Sequence, residues 1–574
     1  MNEKGNIMNK SKKNIAILVA LAAVVFGVTL LVVTLTQDAG RNPGEVSEER
    51  AMDTLNRLYN RLNVNTLPPI MDKVDLEVVD IADSLPDISK YPPYPDNTTG
   101  DYIEIFSSTE KATVSKTGQD TDRWLVDVAE AFNSSGAQVD GRPVSVRIRS
   151  IASGDGMNYI SSGKYTPDVF SPSNELWGDA LKAQGMDITL VDKRLCGNVA
   201  GIVLTQKKHD EMIAKYGAVN LRTVVEAVTS GELTMGYTNP LASSTGVNFL
   251  LSTLYAFDSA NPLGTESESA FVNFQSNIPF VAYTTLQMKD AAKSGALDGF
   301  VFEYQQFQNS PDLKSGYVFT PFGVRHDSPV YALGQLSDTK NEILRQFIDF
   351  CHTAENQQLA ARYGFNGFDD YRIEQTDING DIMQSAQRMW KEKKSGERPI
   401  ITVFVADVSG SMEGEPLSRL KESLLSGAKW IGSDCSVGLV TFSSGVNIAL
   451  PIGKFDINQR SLFAGAVNGM YAAGNTAMYD AIVVAGKLLA DAKAEQPDAK
   501  IMLFLLTDGE SNMGYSLNDT RSIIEGLSIP IYTIGYNADI SVLSTLSSIN
   551  EAASINADTD DVVYKIQNLF NASM

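Results

Sequence analysis

Histidine and cysteine are scarce in this chain, with three of each in 574 residues. His209, His326 and His352 are scattered, and Cys196, Cys351 and Cys435 lie far apart. They offer no CxxC pair, no zinc-finger spacing and no H-E-x-x-H, so the chemistries built on those patterns are excluded. Three cysteines in a long chain read as buried thiols, with a Cys196–Cys351 bridge as the alternative. G-x-x-x-x-G-K-[ST] and G-x-S-x-G are also missing, which removes the phosphate-loop ATPase and serine-hydrolase readings. Basic side chains are in deficit: 47 Lys and Arg against 69 Asp and Glu leave a net charge of −22. So acidic a chain lacks the cationic surface that displaces counterions from phosphates, and no nucleic-acid partner is expected. A metal site in this chain has to be built from oxygen.

The 43% hydrophobic content is enough for real cores, and the length suits about three domains, or two large ones with appendages. Residues 15–35 are the one long charge-free apolar run. At about 1.5 Å per residue they match the ~30 Å hydrocarbon layer, whereas signal-peptide cores are shorter. Lys4, Lys10, Lys12 and Lys13 precede the run, and Asp38, Glu45, Glu48 and Glu49 follow it alongside Arg41 and Arg50. The positive-inside bias then keeps residues 1–14 as a cytoplasmic tail, makes residues 15–35 a single-pass anchor, and places the body outside the cell or in the periplasm. A long, cleaved signal peptide is the alternative.

Residues 36–100 read as a tether with one short helix, in which Leu55, Leu58, Tyr59 and Leu62 recur at helical spacing. Pro86, Pro92, Pro93 and Pro95 exclude regular structure at its end. Residues 101–374 alternate short apolar strands with helical segments, starting with a strand at 102–106 and a helix carrying Trp124, Leu125, Val128 and Phe132. That alternation predicts an α/β fold with helices on both sheet faces, and the length suits two lobes with a cleft. Residues 375–398 predict a linker helix through Met383, Ala386 and Trp390. In residues 399–574, apolar runs at 400–406, 437–442, 501–506 and 530–534 read as buried strands of a parallel sheet, separated by amphipathic helices.

In such sheets, function gathers where the chain leaves the carboxyl ends of the strands. Three loops match that place: Asp407-Val408-Ser409-Gly410-Ser411, Gly474-Asn475-Thr476-Ala477-Met478-Tyr479-Asp480, and Thr507-Asp508-Gly509-Glu510. Asp407, Ser409, Ser411, Thr476 and Asp508 together offer two carboxylates and three hydroxyls, a hard oxygen set suited to Mg²⁺ or Mn²⁺. The carboxylates can bind directly or orient bound water. The three loops resemble the metal-ion-dependent adhesion site of von Willebrand factor A domains. That resemblance implies a Rossmann-like fold that binds protein partners through a divalent metal, an acidic side chain of the partner completing the coordination, usually without catalysis.

The middle segment resembles type 2 periplasmic-binding-protein domains. The resemblance rests on Ser107-Ser108-Thr109-Glu110, on residues 167–173, on Gly236-Tyr237-Thr238-Asn239-Pro240 running into Ser243-Ser244-Thr245-Gly246, and on residues 298–304. It implies a small polar or anionic solute held by hydroxyls and amides at helix N-termini, which present free N–H groups. Ser108, Thr109, Ser173, Ser243, Ser244, Thr245 and Tyr304 are the cleft candidates. The two resemblances together are similar to bacterial substrate-binding and von Willebrand factor A domain-containing proteins. They imply a membrane-anchored binding or adhesion protein without enzymatic activity. The alternative is the solute receptor of an ABC-type importer with an accessory adhesion-type domain.

Overall fold

The computed structural model describes residues 46–74, 85–114, 121–278, 280–282, 288, 297–373, 378–396, 398–509, 511–536, 540–547 and 554–556. The expected cytoplasmic tail and the apolar run at 15–35 lie outside them. Among the described residues no helix is long and apolar enough to cross a membrane.

The architecture is mixed α/β with three sheets. A six-stranded sheet runs in the order Gln138–Val139, Arg142–Ser150, Asp101–Ser107, Val169–Ser171, Val330–Leu333, Ile188–Asp192. A five-stranded sheet runs Tyr317–Arg325, Val199–Thr205, Gly299–Glu303, Met235–Thr238, Phe280–Ala282. The chain leaves the first sheet after Asp192 and returns to it at Val330, so the five-stranded lobe is inserted through two crossings. The predicted two-lobed body is therefore present, and the ends of its strands face a shared cleft.

The linker helix, Gly380–Lys393, is capped by Asn379, whose side chain accepts from the Ile382 amide at 3.0 Å. It does not span free between domains. Met383, Ala386 and Trp390 are fully buried against the two-lobed body, and Trp390 Nε1 donates to the Tyr237 hydroxyl at 2.7 Å.

The third sheet is seven-stranded: Val64–Thr66, Val446–Lys454, Ser436–Phe442, Ile400–Asp407, Lys500–Thr507, Ile531–Gly535, Ser554–Asn556. Every residue of Ile400–Asp407 is buried, as a central strand covered on both faces requires. Phe404, Phe504 and Tyr532 stack across three neighbouring strands, with ring centroids 5.2 and 4.9 Å apart. The four runs expected as parallel strands pair parallel, and the sheet becomes mixed at a strand beyond them. Ser436–Phe442 and Val446–Lys454 pair antiparallel, because the three residues joining them are too few for a parallel crossover.

Part of the segment expected as a tether is built into this domain. Helix Glu48–Tyr59, capped by Ser47, buries Ala51, Leu55 and Leu58 against helices Met478–Glu495 and Leu517–Gly526. A Cβ on Gly526 would come within 2.5 Å of the Ala51 Cβ, so the bare glycine permits this approach. Val64–Thr66 then pairs with Val446–Lys454 as the edge strand. Three residues carry too little periodicity to announce a strand; the partner edge supplies their ladder.

Candidate functional site

The three adhesion-type loops meet at the carboxyl ends of Ile400–Asp407 and Lys500–Thr507, and backbone bonds lock them together. Gly410 donates to the Gly474 carbonyl at 2.9 Å, joining the first loop to the second. Gly474 has φ +84°, and a Cβ there would sit 2.6 Å from Ser444 Oγ, so this turn needs glycine. The third loop closes on the second: Asn512 accepts the Thr476 amide at 2.9 Å and returns its own amide to the Thr476 carbonyl at 3.0 Å.

Within this frame the side chains divide by role. Asp407 is fully buried; its Oδ1 accepts the Ser409 amide at 2.8 Å and its Oδ2 accepts Thr507 Oγ1 at 2.6 Å. Ser409 Oγ and Ser411 Oγ lie 3.0 Å apart, the first buried and the second exposed to solvent. Thr476 is buried and Asp508 half-buried. Burial pushes the Asp407 carboxyl above its usual range and Asp508 adds to the rise; the bonds from Thr507 and Ser409 oppose it. A cation beside these groups would offset the burial penalty and the repulsion together. Among the described residues no group of three or more His, Cys, Asp or Glu is placed to hold a metal ion. A cation here would rest on the two aspartates, the hydroxyls and water, and the all-oxygen donor set fits Mg²⁺ or Mn²⁺.

Sequence reasoning passed over Thr507 and Asn512. Thr507 stood in the quoted T-D-G, but only the fold shows its hydroxyl reaching Asp407. Asn512 carries no motif of its own.

In the two-lobed body, six of the seven cleft candidates line one cavity of ≈ 60 Å³: Ser108, Thr109, Ser173, Ser243, Ser244 and Thr245. Ser243 caps helix Ser244–Phe257 by accepting from the Gly246 amide at 3.3 Å. Ser244 bridges the lobes, accepting from Trp177 Nε1 at 2.8 Å and meeting Ser153 Oγ at 3.1 Å. Tyr304 does not line the cavity. Its ring packs edge-on against Phe319 and Phe368, with centroids 5.4 and 4.8 Å away, in an aromatic cluster.

The structure also brings unanticipated charge to the cavity wall. Glu110, from the first lobe, accepts from Ser108 Oγ at 2.5 Å and from Ser173 Oγ at 2.9 Å. Glu303, from the second, accepts from Thr245 Oγ1 at 2.7 Å and from Asn198 Nδ2 at 2.8 Å. His326 Nδ1 lies 2.7 Å from Glu303, and its Nε2 lies 3.1 Å from the side-chain amides of both Asn174 and Asn248. Lys111 is fully buried behind Ser108, bonded to it and to the Ser171 carbonyl at 3.0 Å. Burial lowers its pKa and Glu110 works against the fall. All three cysteines are buried free thiols, with burial raising Cys196 to about 12 and Cys435 to about 11.

Comparison with known proteins matches both halves of this arrangement. Residues 402–571 match the von Willebrand factor type A domain, and residues 117–366 match a bacterial extracellular solute-binding protein. The chain thus combines a von Willebrand factor A domain with a bacterial extracellular solute-binding domain. Inter-alpha-trypsin inhibitor heavy chain H4 of Bos taurus is 27% identical over 154 residues, 25% of this chain and 16% of that protein. The heavy chain H3 of the same species is 29% identical over 154 residues, 25% of this chain and 17% of its own length. The chain spans about a sixth of the length of these curated relatives. Among solved structures, the sulfate-binding protein SubI of Mycobacterium tuberculosis aligns at 14% identity and a TM-score of 0.33, over 47% of this chain and 88% of that one. A von Willebrand factor type A structure from Catenulispora acidiphila aligns at 20% identity and a TM-score of 0.26, over 30% of this chain and 42% of that one.

Proposed function

We propose that this protein is a membrane-anchored extracellular binding or adhesion protein, without enzymatic activity, that grips a partner protein through a divalent metal. The observation that carries the reading is the interlocked trio of loops. Buried Asp407 is clamped by Thr507 and by the Ser409 amide, and the hydroxyls of Ser409 and Ser411 stand side by side at the solvent edge. Mg²⁺ or Mn²⁺, once bound, supplies a Lewis-acidic centre for an acidic side chain of the partner. The chain's own residues do the rest: Asp407 fixes the loop, Thr476 and Asp508 close the sides, and the exposed Ser411 marks the face a partner approaches.

The solute-binding domain supports a second binding activity. Its cavity sits between two lobes and is lined by hydroxyls and by Glu110 and Glu303. Two wall carboxylates favour a polar, hydrogen-bond-donating solute over an anion. The 21-residue apolar run supports an anchored location outside the cytoplasm. Calorimetric titration of residues 46–574 with Mg²⁺ tests the first reading. Saturable binding that disappears in Asp407→Ala is expected; no binding, or binding indifferent to that change, overturns it. A thermal-shift panel of sugars, amines and oxyanions on the same chain tests the second.

A further inference from the structure

The first loop of the solute-binding domain carries a second pattern, Ser108-Thr109-Glu110-Lys111. Strand Asp101–Ser107 ends there, and the single turn Thr109–Ala112 brings Glu110 and Lys111 back beside Ser108. A serine followed three residues later by lysine is the spacing at which an amine reaches the hydroxyl across one helical turn. Here it does reach. Lys111 Nζ donates to Ser108 Oγ, and Ser108 Oγ donates to Glu110 Oε1 at 2.5 Å. All three side chains are more than nine-tenths buried, and Ser108 and Glu110 line the cavity between the lobes.

Surrounding bonds fix this triangle. Lys111 Nζ also donates to the Ser171 carbonyl at 3.0 Å and the Pro172 carbonyl at 3.4 Å, and Glu110 accepts Ser173 Oγ at 2.9 Å. The hydroxyl proton thus points at a carboxylate able to take it, and an amine sits on the oxygen that would be left negative. Burial lowers the Lys111 pKa, and negative charge growing on Oγ would offset that cost. Helix capping does not explain the arrangement, since Ser108 makes no side-chain cap bond to the turn it precedes. Across the cavity, helix Ser244–Phe257 begins with Ser244 and Thr245 on the wall, so its positive end faces the same space.

We propose that Ser108 is a covalent acceptor site, which takes the acyl group of a small neutral ester once per chain. Oγ forms a bond to the carbonyl carbon, its proton passes to Glu110, and the carbonyl electron pair moves onto oxygen. On collapse, the bond from that carbon to the leaving oxygen breaks, and the alcohol departs with the proton held by Glu110. Acyl-Ser108 and an alcohol result, with nothing oxidised or reduced. The carboxylates of Glu110 and Glu303 on the wall disfavour an anionic electrophile, and a cavity of ≈ 60 Å³ favours a short acyl group. One equivalent captured per chain is not turnover, so the step adds covalent capture to a binding protein.

The test is incubation of the full-length chain in detergent and EDTA with p-nitrophenyl acetate, followed by intact-mass and peptide mass spectrometry. One acetyl group on Ser108 is expected, with a matching release of p-nitrophenolate. Ser108→Ala should lose the adduct, and Ser108→Cys, which places another nucleophile there, should keep one. Glu110→Gln and Lys111→Met should each slow acetylation about 100-fold or more, and Lys111→Arg, which retains the charge, should slow it less. The anionic p-nitrophenyl phosphate should leave Ser108 unmodified; phosphorylation of Ser108 in place of acetylation overturns the choice of ester. The proposal is also overturned by no adduct on Ser108, by acetylation confined to other residues, or by a rate indifferent to Glu110→Gln and Lys111→Met.

Discussion

The adhesion-type site draws its side chains from three loops at one edge of a single sheet, whereas the solute cleft takes Glu110 and Ser173 from one lobe and Thr245 and Glu303 from the other. In the first, hydrogen bonds between loops fix the geometry before any ligand arrives, and the exposed hydroxyl of Ser411 stays open. In the second, the bonds run between lobes, through Ser244 to Trp177 and Ser153. One site is held by local turns; the other is held by bonds through Ser244 to Trp177 and Ser153. The difference predicts that substitutions in the first act mainly on ligand affinity, and in the second on stability as well.

The largest effect should come from Glu303→Ala. This buried carboxylate accepts from Thr245 and Asn198 and pairs with His326, and its loss strands all three. Unmaking a buried charged network of this kind costs about 3–5 kcal/mol, read as a lowered urea midpoint of residues 46–574. A near-neutral result would mean that the cleft wall does not depend on this network, and would break the contrast. Next in size, Asp407→Ala should reduce Mg²⁺ affinity roughly 100-fold or more, about 2.7 kcal/mol, in calorimetry. Thr507→Val should cost about 10-fold in the same measurement, with Thr507→Ser restoring it, because Thr507 acts by orienting Asp407.

The effect smallest at any one step is a pH slope, at most about 1.4 kcal/mol per pH unit, and it concerns the seam between the two regions. Burial holds the Lys394 pKa near 7 in the folded chain, against about 10.4 when unfolded. Between those values the unfolded chain binds the extra proton, so stability rises with pH across that window, and the cost of charging Lys394 is complete below it. Its surroundings include Lys391 and Lys500, which deepen the depression, and Cys435 and Asp434, which oppose it. Urea midpoints at pH 7, 8, 9 and 10 should climb in the native chain and climb less in Lys394→Met, where Lys500, held near 8 by burial, still contributes above pH 8.

How much of this could be read in advance follows the same contrast. The clustering of the adhesion-type loops was legible because each is a short contiguous motif, and strand Ile400–Asp407 falls within a residue of its expected bounds. Six of seven cleft hydroxyls were legible for the same local reason, since Ser and Thr at strand-to-helix corners announce helix caps. Glu110 lay inside a quoted motif, but its role depends on Ser173, 63 residues away. His326, dismissed as a scattered histidine, meets Glu303, Asn174 and Asn248 only through the fold. Tyr304 misled because it directly follows Glu303, and the strand-to-helix turn sends its ring to Phe368 instead. The clasp made by Glu48–Tyr59 and Val64–Thr66 was read as a tether, because docking against a strand nearly 400 residues later leaves no local signal.

In the proposed function the three interlocked loops hold a divalent metal for a partner to complete. Crystals of residues 46–574 soaked in Mn²⁺ test it most directly, by the position of the anomalous peak. The account predicts one strong peak about 2–2.3 Å from Ser409 Oγ and Ser411 Oγ, absent in Asp407→Ala crystals. A peak elsewhere, or none at these hydroxyls at saturating Mn²⁺, would contradict it.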